Sequence, residues 1–326
     1  MQMRPSTART ISRAAAVSRA FLGMAGTLAA GLLAAPCAWS AEPLSVTAVA
    51  PGVFVHAGAV ELMSEANAGA IANVGFIVGG EAVAVVDTGG SVAQGRALFA
   101  AIRGVTDLPI RYVINTHVHP AHVFGNAAFE AERPRFVGHA KLPRALSARG
   151  DHYLQANAAL LGPDLTAEIR IIPPDLLVED RADLDLGGRV VELRAWPTAH
   201  TDNDLTVLDR TTGTLFAGDL VFLQHVPSID GSIKGWLSAV DELAALPVAR
   251  VVPGHGPASA PWPDALDDER RYFEAVARDV RAAIAAGATL QSATGAVAGE
   301  ERGRWDLFGE FHARNVTAAF AELEWE

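Results

Sequence analysis

The stretch EAVAVVDTGG, residues 81–90, runs directly into SVAQGRALFAAIR, residues 91–103. The first is an unbroken apolar run ending in an acid, a threonine and two glycines. A strand without polar alternation is buried on both faces. The second segment carries its apolar residues at helical spacing, with Ser91 placed to cap it. A doubly buried strand that feeds a helix so directly needs cover on both sides of a sheet, which means a layered α/β domain.

The alternation continues along the chain. Residues 45–56 hold two short strand-like pieces around Pro51 and Gly52, and AIANVGFIVGG (70–80) is a strand before the run above. RYVINT (111–116) and RFVGH (135–139) read as strands, and residues 140–162 as helix. A second series contains GGRVVELRAWP (187–197), DLTVLD (204–209), TLFAGDL (214–220) and ARVVPG (249–254). KGWLSAVDELAAL (234–246) is an amphipathic helix, and 264–286 and 304–323 read as long C-terminal helices. The proline-rich stretch 253–263 is the only linker-like segment beyond the leader. It is too short to divide the chain, so residues 42–326 are expected to form one domain.

Residues 1–41 have a different character. Arg4, Arg9, Arg13 and Arg19 stand without any acid, ahead of the apolar run AFLGMAGTLAAGLLAA (20–35), Pro36 and CAWSAE. This is the layout of a secretory signal peptide, with cleavage expected after Ser40 or Ala41. The apolar run is shorter than the roughly 20 residues of a spanning helix, so no stable membrane insertion is expected after cleavage. The single cysteine, Cys37, lies in this leader, so the mature chain is expected to have neither disulfides nor thiolate ligands. The full chain has a net charge of −11; loss of four arginines leaves 22 cationic against 37 acidic residues, a net of −15. Such a surface repels phosphate backbones and excludes nucleic acid as partner, leaving a small molecule as the expected substrate.

Residues 113–126, VINTHVHPAHVFGN, place His117, His119 and His122 within six residues at the end of a strand. On a continued strand, side chains 117 and 119 point the same way and reach one cation. His122, from the next turn, reaches a neighbouring position. Imidazole nitrogen suits zinc. Three later strand ends carry further donors: His200 in TAHTDNDL, Asp219 in LFAGDL and His255 in VVPGHG, while Asp87 ends VVDTGG. Each alone is a weak signal, but the ordered set is specific. His56, His139, His152 and His312 are read as structural. The segment HVPSIDGSIKGW (225–236) should form a loop over the metals, with His225, Ser228, Asp230 and Lys234 as candidate substrate contacts. Lys234 equally suits a solvated helix start. Asn73 and Asn126 are turn residues or donors to substrate, and Trp196, Trp236 and Trp262 are packing residues.

H-x-H-x-x-H, then AHT, GD and PGHG, with an early VVDTG, resembles the metallo-β-lactamase superfamily over residues 53–256. The resemblance implies an αβ/βα sandwich of two mixed sheets flanked by helices, here with extra C-terminal helices. It implies a zinc hydrolase acting through zinc-bound hydroxide on an ester, thioester, lactone or β-lactam-like bond. Carried over residue by residue, His117, His119 and His200 hold a first zinc, His122 and His255 a second, and Asp219 bridges them. Asp87 braces the histidine loop from behind. NAGAIANVGFIVGG, HVHPAHVFGNAAF, HVPSIDGSIKGW and NVTAAFAELEWE further resemble the quinoprotein relay system zinc metallohydrolases, periplasmic proteins similar to SoxH. That implies a periplasmic location and a functional link to quinoproteins. The rival expectation is a non-catalytic metal- or ligand-binding partner of a periplasmic quinoprotein or sulfur-oxidation system.

One residue departs from the pattern. The superfamily motif is H-x-H-x-D-H, and this chain has Ala121 where the aspartate belongs. The catalytic face implied by the resemblance, Asp219 and His122 beside position 121, thus lacks one carboxylate. The first zinc's ligands are intact; the second keeps His122, His255 and a share of Asp219. Loss of even an outer partner costs about 10–100-fold in metal affinity or activity, so the second site is expected to be weakened and activity reduced. Three readings stay open: an engineered knock-out by point substitution in a working scaffold, natural divergence to a one-zinc enzyme, or lost activity with a binding role retained.

Overall fold

The computed structural model describes residues 42–326. The leader expected over residues 1–41, with Cys37, lies outside the described residues. Two mixed sheets form the centre. The first runs β1 (Thr47–Ala50), β2 (Val53–His56), β3 (Val74–Val78), β4 (Val83–Val86), β5 (Ile110–Ile114), β6 (Arg135–His139) and β7 (Leu176–Val178), in that spatial order. Its first four strands pair antiparallel and β4 to β7 pair parallel. The second sheet contains β8 (Arg181–Asp185), β9 (Val190–Ala195), β10 (Leu205–Asp209), β11 (Thr214–Phe222), β12 (Arg250–His255) and β13 (Ala260–Pro261), also in sequence order. Here only β11 and β12 are parallel.

The helices are α1 (Val92–Val105), the single turn α2 (Pro120–Val123), α3 (Leu142–Ala167), α4 (Ile233–Ala244), α5 (Asp267–Ala285), α6 (Leu290–Ala296) and α7 (Phe308–Leu323). They cover the outer faces. Leu98 and Ile102 of α1 pack on Phe76, Val85 and Val113 of the first sheet. Trp236, Phe273, Val276 and Val316 of the later helices pack on Leu215 and Val251 of the second. Between the sheets, Ile77, Val86 and Ile114 meet Leu193, Val207, Phe216 and Val252. This four-layer order is the αβ/βα sandwich with extra C-terminal helices. Every residue of β4 is buried, as its unbroken apolar run requires. Ser91 caps α1 by accepting from the Gln94 amide, which fixes the helix start beside the Asp87 turn. Among the described residues, no helix is long and apolar enough to cross a membrane.

Several local expectations need correction. Strand β5 stops at Ile114, so His117 and His119 belong to the loop beyond it rather than to a strand continuation. Strand alternation therefore does not set their directions. The helix expected over 140–162 extends to Ala167 across a break at Gly162, whose φ of 75° and following proline interrupt regular geometry. Strands β7 and β8 are absent from the sequence reading: β7 is only three residues long, and β8 buries only Leu184 fully. Helix α6 is likewise absent from the sequence reading. The stretch 253–263 is no linker; it completes β12 and adds β13 at the sheet edge.

Arg189 ties the layers together at the end opposite the chemistry. Its guanidinium donates to both oxygens of Asp209 in the second sheet and to the carbonyls of Val78 and Pro51 in the first. Burial pushes the Asp209 carboxyl up, but hydrogen bonds from Arg189 and Thr212 outweigh this and hold it below the ordinary value. Asp209 is fully buried, so Arg189→Ala strands its charge. We expect a loss of about 3 kcal/mol at neutral pH, read by urea unfolding. A depressed carboxyl stabilises the fold above its unfolded pKa and loses this as pH falls through its folded value. The gap between the two proteins should therefore narrow below about pH 4.

Candidate metal centre

The site lies at one edge of the sandwich, where loops leaving both sheets converge. Behind β4, Asp87 turns the chain with a φ of 57°. Its two oxygens accept from the Thr116 amide and hydroxyl, both at 2.8 Å. Asp87 Oδ2 also accepts from His122 Nδ1 at 2.8 Å. The Thr116 hydroxyl in turn lies 3.0 Å from His117 Nδ1. One buried carboxylate thus fixes the outer nitrogens of two histidines, directly and through a hydroxyl.

The other rings are held in the same manner. His200 Nδ1 donates to the Ser228 carbonyl at 2.7 Å, and His119 Nε2 donates to Asp230 Oδ2 at 3.1 Å. With outer nitrogens committed, the remaining nitrogens face inward. His119 Nδ1 lies 3.1 Å from His117 Nε2 and 2.9 Å from His200 Nε2. Asp219 Oδ2 stands 3.6 Å from His117, 3.4 Å from His200 and 3.5 Å from His255, while its Oδ1 is 3.1 Å from His122 Nε2. His255 is the exception, since its Nδ1 is buried without a partner.

These donors form two groups, His117–His119–His200–Asp219 and His122–Asp219–His255, each with its donor atoms within 4.8 Å of one another. Four ligands at about 2.0–2.1 Å around one tetrahedral ion stand roughly 3.3 Å apart, close to the spacings above. His122 Nε2 and Asp219 Oδ1 are both buried with no hydrogen-bond partner, despite their proximity. Orphaned buried donors and acceptors are costly, and a cation would satisfy both. The imidazole-rich set favours zinc or a related transition metal over magnesium or calcium.

The electrostatics agree with a cation-ready site. Burial and the charge of His122 push the His117 ring well below its ordinary pKa, and burial takes His200 to about 3. Burial would also lower His122, but the Asp219 and Asp87 carboxylates outweigh it and raise the ring to about 10. Burial would raise Asp219, yet the surrounding imidazoles hold it well below the carboxylate range. His122 therefore carries a proton beside Asp219 when no cation does, and metal binding must displace it.

Ala121 sits in α2 beside His122, its methyl packed with Met63 and Ala72. It offers no donor to the second group. A cavity of about 560 Å³ opens over both groups and is lined in part by His119, Ala121, His122, His200, Asp219 and His255. His225 and Ser228 also line it. Burial and the charge of His255 lower His225 to about 4, so it is a neutral ring packed between His255 and Phe311. Asp230 also borders the cavity, but it serves the site by holding His119 and by pairing with Arg149. Burial would raise Asp230; His119 and Arg149 instead take it to about 2.

Three assignments change. Lys234 does not line the cavity; it begins α4 and pairs with Glu326 at 3.5 Å. His152, read as structural, does line it. Asn73 and Asn126 make structural ties, the first to the carbonyls of Pro253 and Pro257, the second to Asn115 and Thr88. His56, His139 and His312 are away from the cavity, bonded to Ser45, Lys141 and Tyr272 respectively. Trp196, Trp236 and Trp262 are packing residues, and Trp236 also lies edge-on to His200. The sequence reading missed Arg149, Tyr153 and Asn157 of α3, and Arg314 of α7. The signal was the spacing 149–153–157, which puts three polar side chains on one helix face.

Residues 68–255 match the family described as the Metallo-beta-lactamase superfamily. The chain belongs to the metallo-β-lactamase superfamily. Among curated relatives, the linear primary-alkylsulfatase of Pseudomonas sp. (strain ATCC 19151) is 33% identical over 151 residues, covering 45% of this chain and 28% of that protein. The uncharacterized protein YobT of Bacillus subtilis (strain 168) is 30% identical over 128 residues, 39% of this chain and 52% of that one. The matches thus span about half or less of these relatives. A metallo-beta-lactamase from Pontibacter korlensis superposes with a TM-score of 0.58 at 18% identity, over 71% of this chain and 99% of that one. A double mutant of the sec-alkyl sulfatase PisA1 superposes at 0.66 and 15% identity, over 87% and 51%. These structures share the fold. Helices α5 to α7 lie beyond the residues matched to the superfamily.

Two glycines make room for the superfamily's metal residues in this chain. Gly218, at a φ of 54°, bends β11 so that its Cα meets the Thr116 side chain from the other sheet. Gly254 lies where an added Cβ would stand 1.9 Å from Asp219 Oδ1 and 2.8 Å from the Gly218 backbone. Gly254→Ala should push the carboxylate out of both groups. We expect metal affinity to fall by at least about tenfold, measured by zinc titration against a chromophoric chelator.

Proposed function

We propose that the protein is a zinc-dependent hydrolase whose second metal position is weakened by Ala121. The observation that carries this reading is the pair of donor groups sharing Asp219 at the floor of an open cavity. His117, His119, His200 and Asp219 would hold the first zinc; His122, His255 and Asp219 would share a second. Zinc so held supplies a water nucleophile active near neutral pH and polarises the bond to be cleaved. The chain's own residues set the site up for this. Asp87 and Thr116 orient His117 and His122, Asp230 orients His119, and the Ser228 carbonyl orients His200. Such outer partners fix ring direction and keep inner lone pairs available.

The bond attacked is proposed to be an ester, thioester, lactone or β-lactam-like bond, and the alkylsulfatase relative adds the sulfate ester. The signal-peptide layout of residues 1–41 supports a periplasmic location, and the likeness to the quinoprotein relay system and SoxH-like proteins supports a link to periplasmic quinoproteins. Ala121 itself favours a second reading: a non-catalytic metal- or ligand-binding partner of such a system.

Ala121→Asp separates the two. Its carboxylate would stand beside Met63 and Ala72, adding a second buried acid to a site where, without zinc, the His122 proton already serves Asp219 and Asp87. Burying an uncompensated charge costs stability, and ligand binding to the folded form returns it. The variant should melt lower than the parent without metal and show the larger rise on adding zinc. Metal analysis should find more zinc per chain, and hydrolysis of a thioester, lactone, β-lactam and alkyl sulfate panel should rise at least about tenfold in a chelator-sensitive manner. Absence of chelator-sensitive turnover in both proteins would favour the binding-partner reading. Two tightly held zincs in the parent, with turnover unchanged in Ala121→Asp, would refute the role given to position 121.

A further inference from the structure

The walls of the cavity are chemically uneven. Leu62, Met63, Ile71, Leu160 and Phe311 form an apolar lining. Leu62 and Leu160 are each 48% exposed, among the few large apolar side chains left open to solvent in the described residues. Apolar side chains gathered at the mouth of a cavity mark a surface for an apolar ligand. Two arginines line the same cavity, Arg149 from α3 and Arg314 from α7. They are not equivalent. Arg149 is committed to Asp230 and donates to the Tyr153 hydroxyl. Arg314 is exposed, and among the described residues no carboxylate lies within 4.0 Å of its guanidinium.

The position of Arg314 follows from the packing of α7. His255 of the metal centre packs on His225, and His225 packs on Phe311, with ring centroids 5.0 and 4.8 Å apart. Arg314 is three residues beyond Phe311, on the same helix face and one turn further out. Arg314 and Tyr153 of α3 both line this cavity, so the guanidinium stands at its wall. Arg314 also borders a shallow depression along α7. In a chain whose acids outnumber its bases 37 to 26, an unpaired cation at this mouth is a selective feature.

We infer that Arg314 binds an anionic group on the ligand, remote from the bond presented to the metal centre, while the ligand's apolar body lies along Leu62, Met63, Ile71, Leu160 and Phe311. The ligand class is an amphiphile bearing a carboxylate or sulfate at some distance from the reacting bond. This rests on the cavity being the substrate site of the proposed hydrolase. The residue lies on a helix beyond the matched superfamily range, so its role rests on its place in the cavity wall and not on the family's pattern.

The test reads binding rather than turnover, on the zinc-loaded full chain, by calorimetry with octanoate, octyl sulfate, octanol and octyltrimethylammonium. The parent should bind octanoate, octyl sulfate or both at least about tenfold more tightly than octanol, and the two anions identify the headgroup. Arg314→Ala should cut that preference about tenfold, and Arg314→Glu should turn it toward octyltrimethylammonium. Arg314 is exposed and unpaired, so both variants should match the parent's melting temperature. Anion preference that survives both substitutions would place the anion on the metals and overturn the inference, as would equal binding of octanol in the parent. Arg314-dependent binding without hydrolysis in any panel would instead retire the hydrolase reading and leave the ligand class standing.

Discussion

Asp219 is a buried carboxylate facing four imidazoles at 3.1 to 3.6 Å, and the geometry around it makes sense only with positive charge at its centre. Moving a carboxylate out of water is expensive unless it is paired and hydrogen-bonded. Here its Oδ1 has no hydrogen bond at all. A proton on His122 supplies one charge when metal is absent, which is why that ring is held near 10 while His200 falls to about 3. The fold is arranged to keep this cluster in place. Asp87, Thr116, Asp230 and the Ser228 carbonyl occupy the outward nitrogens, and Gly254 leaves the volume Asp219 needs.

The chemistry therefore comes from one edge of the sheets, from the loops and the single turn α2 that carry His117, His119, His122 and His200 and from Asp219 and His255 within β11 and β12, and the sheets supply rigidity. β4 and β5 lie side by side in parallel, so Asp87 and the histidine loop emerge at one edge. β11 and β12 do the same for Asp219 and His255, with the Gly218 irregularity bringing them against Thr116. The Leu205 amide donates to the Thr116 carbonyl, and the Asn73 amide to the Gly254 carbonyl, so the two sheets are joined beside the donors. Arg189 joins them again at the far end.

This division explains what the sequence made legible. The strands β3, β4, β5 and β11 are buried and apolar, and their patterns stand out. The metal donors follow such runs directly, beside glycines that a sharp turn needs, so His117, His119, His122, His200, Asp219 and His255 could be picked out and their spacing interpreted. The cavity walls obey no comparable rule. Arg149, Tyr153 and Asn157 form a polar helix face that would look the same whether it met solvent or substrate. Arg314 and Phe311 acquire meaning only through the distant contact of α7 with His225. Lys234 suits a substrate contact and a solvated helix start equally well in sequence, since it is close to Asp219 in the chain, and the start of α4 turns it toward Glu326. Sequence proximity located the loop and not the direction of its side chains.

The same asymmetry bears on how selectivity and chemistry are partitioned. The donors lie within the matched superfamily range, where a change such as Ala121 acts on metal occupancy. Half of the apolar and cationic wall comes from α3 and α7, and α7 lies outside that range. A helix packed on the outer face of a sheet can change its cavity-facing residues without disturbing the strands that hold the metals, provided its core residues remain. In α7 the core is held by Val316, Ala319 and Leu323, with Phe311 packed partly against it and on His225, while Arg314 is exposed and contributes nothing to that core. Fold alone does not fix a substrate; in this protein the residues that would fix it are carried by the layer that the fold least constrains.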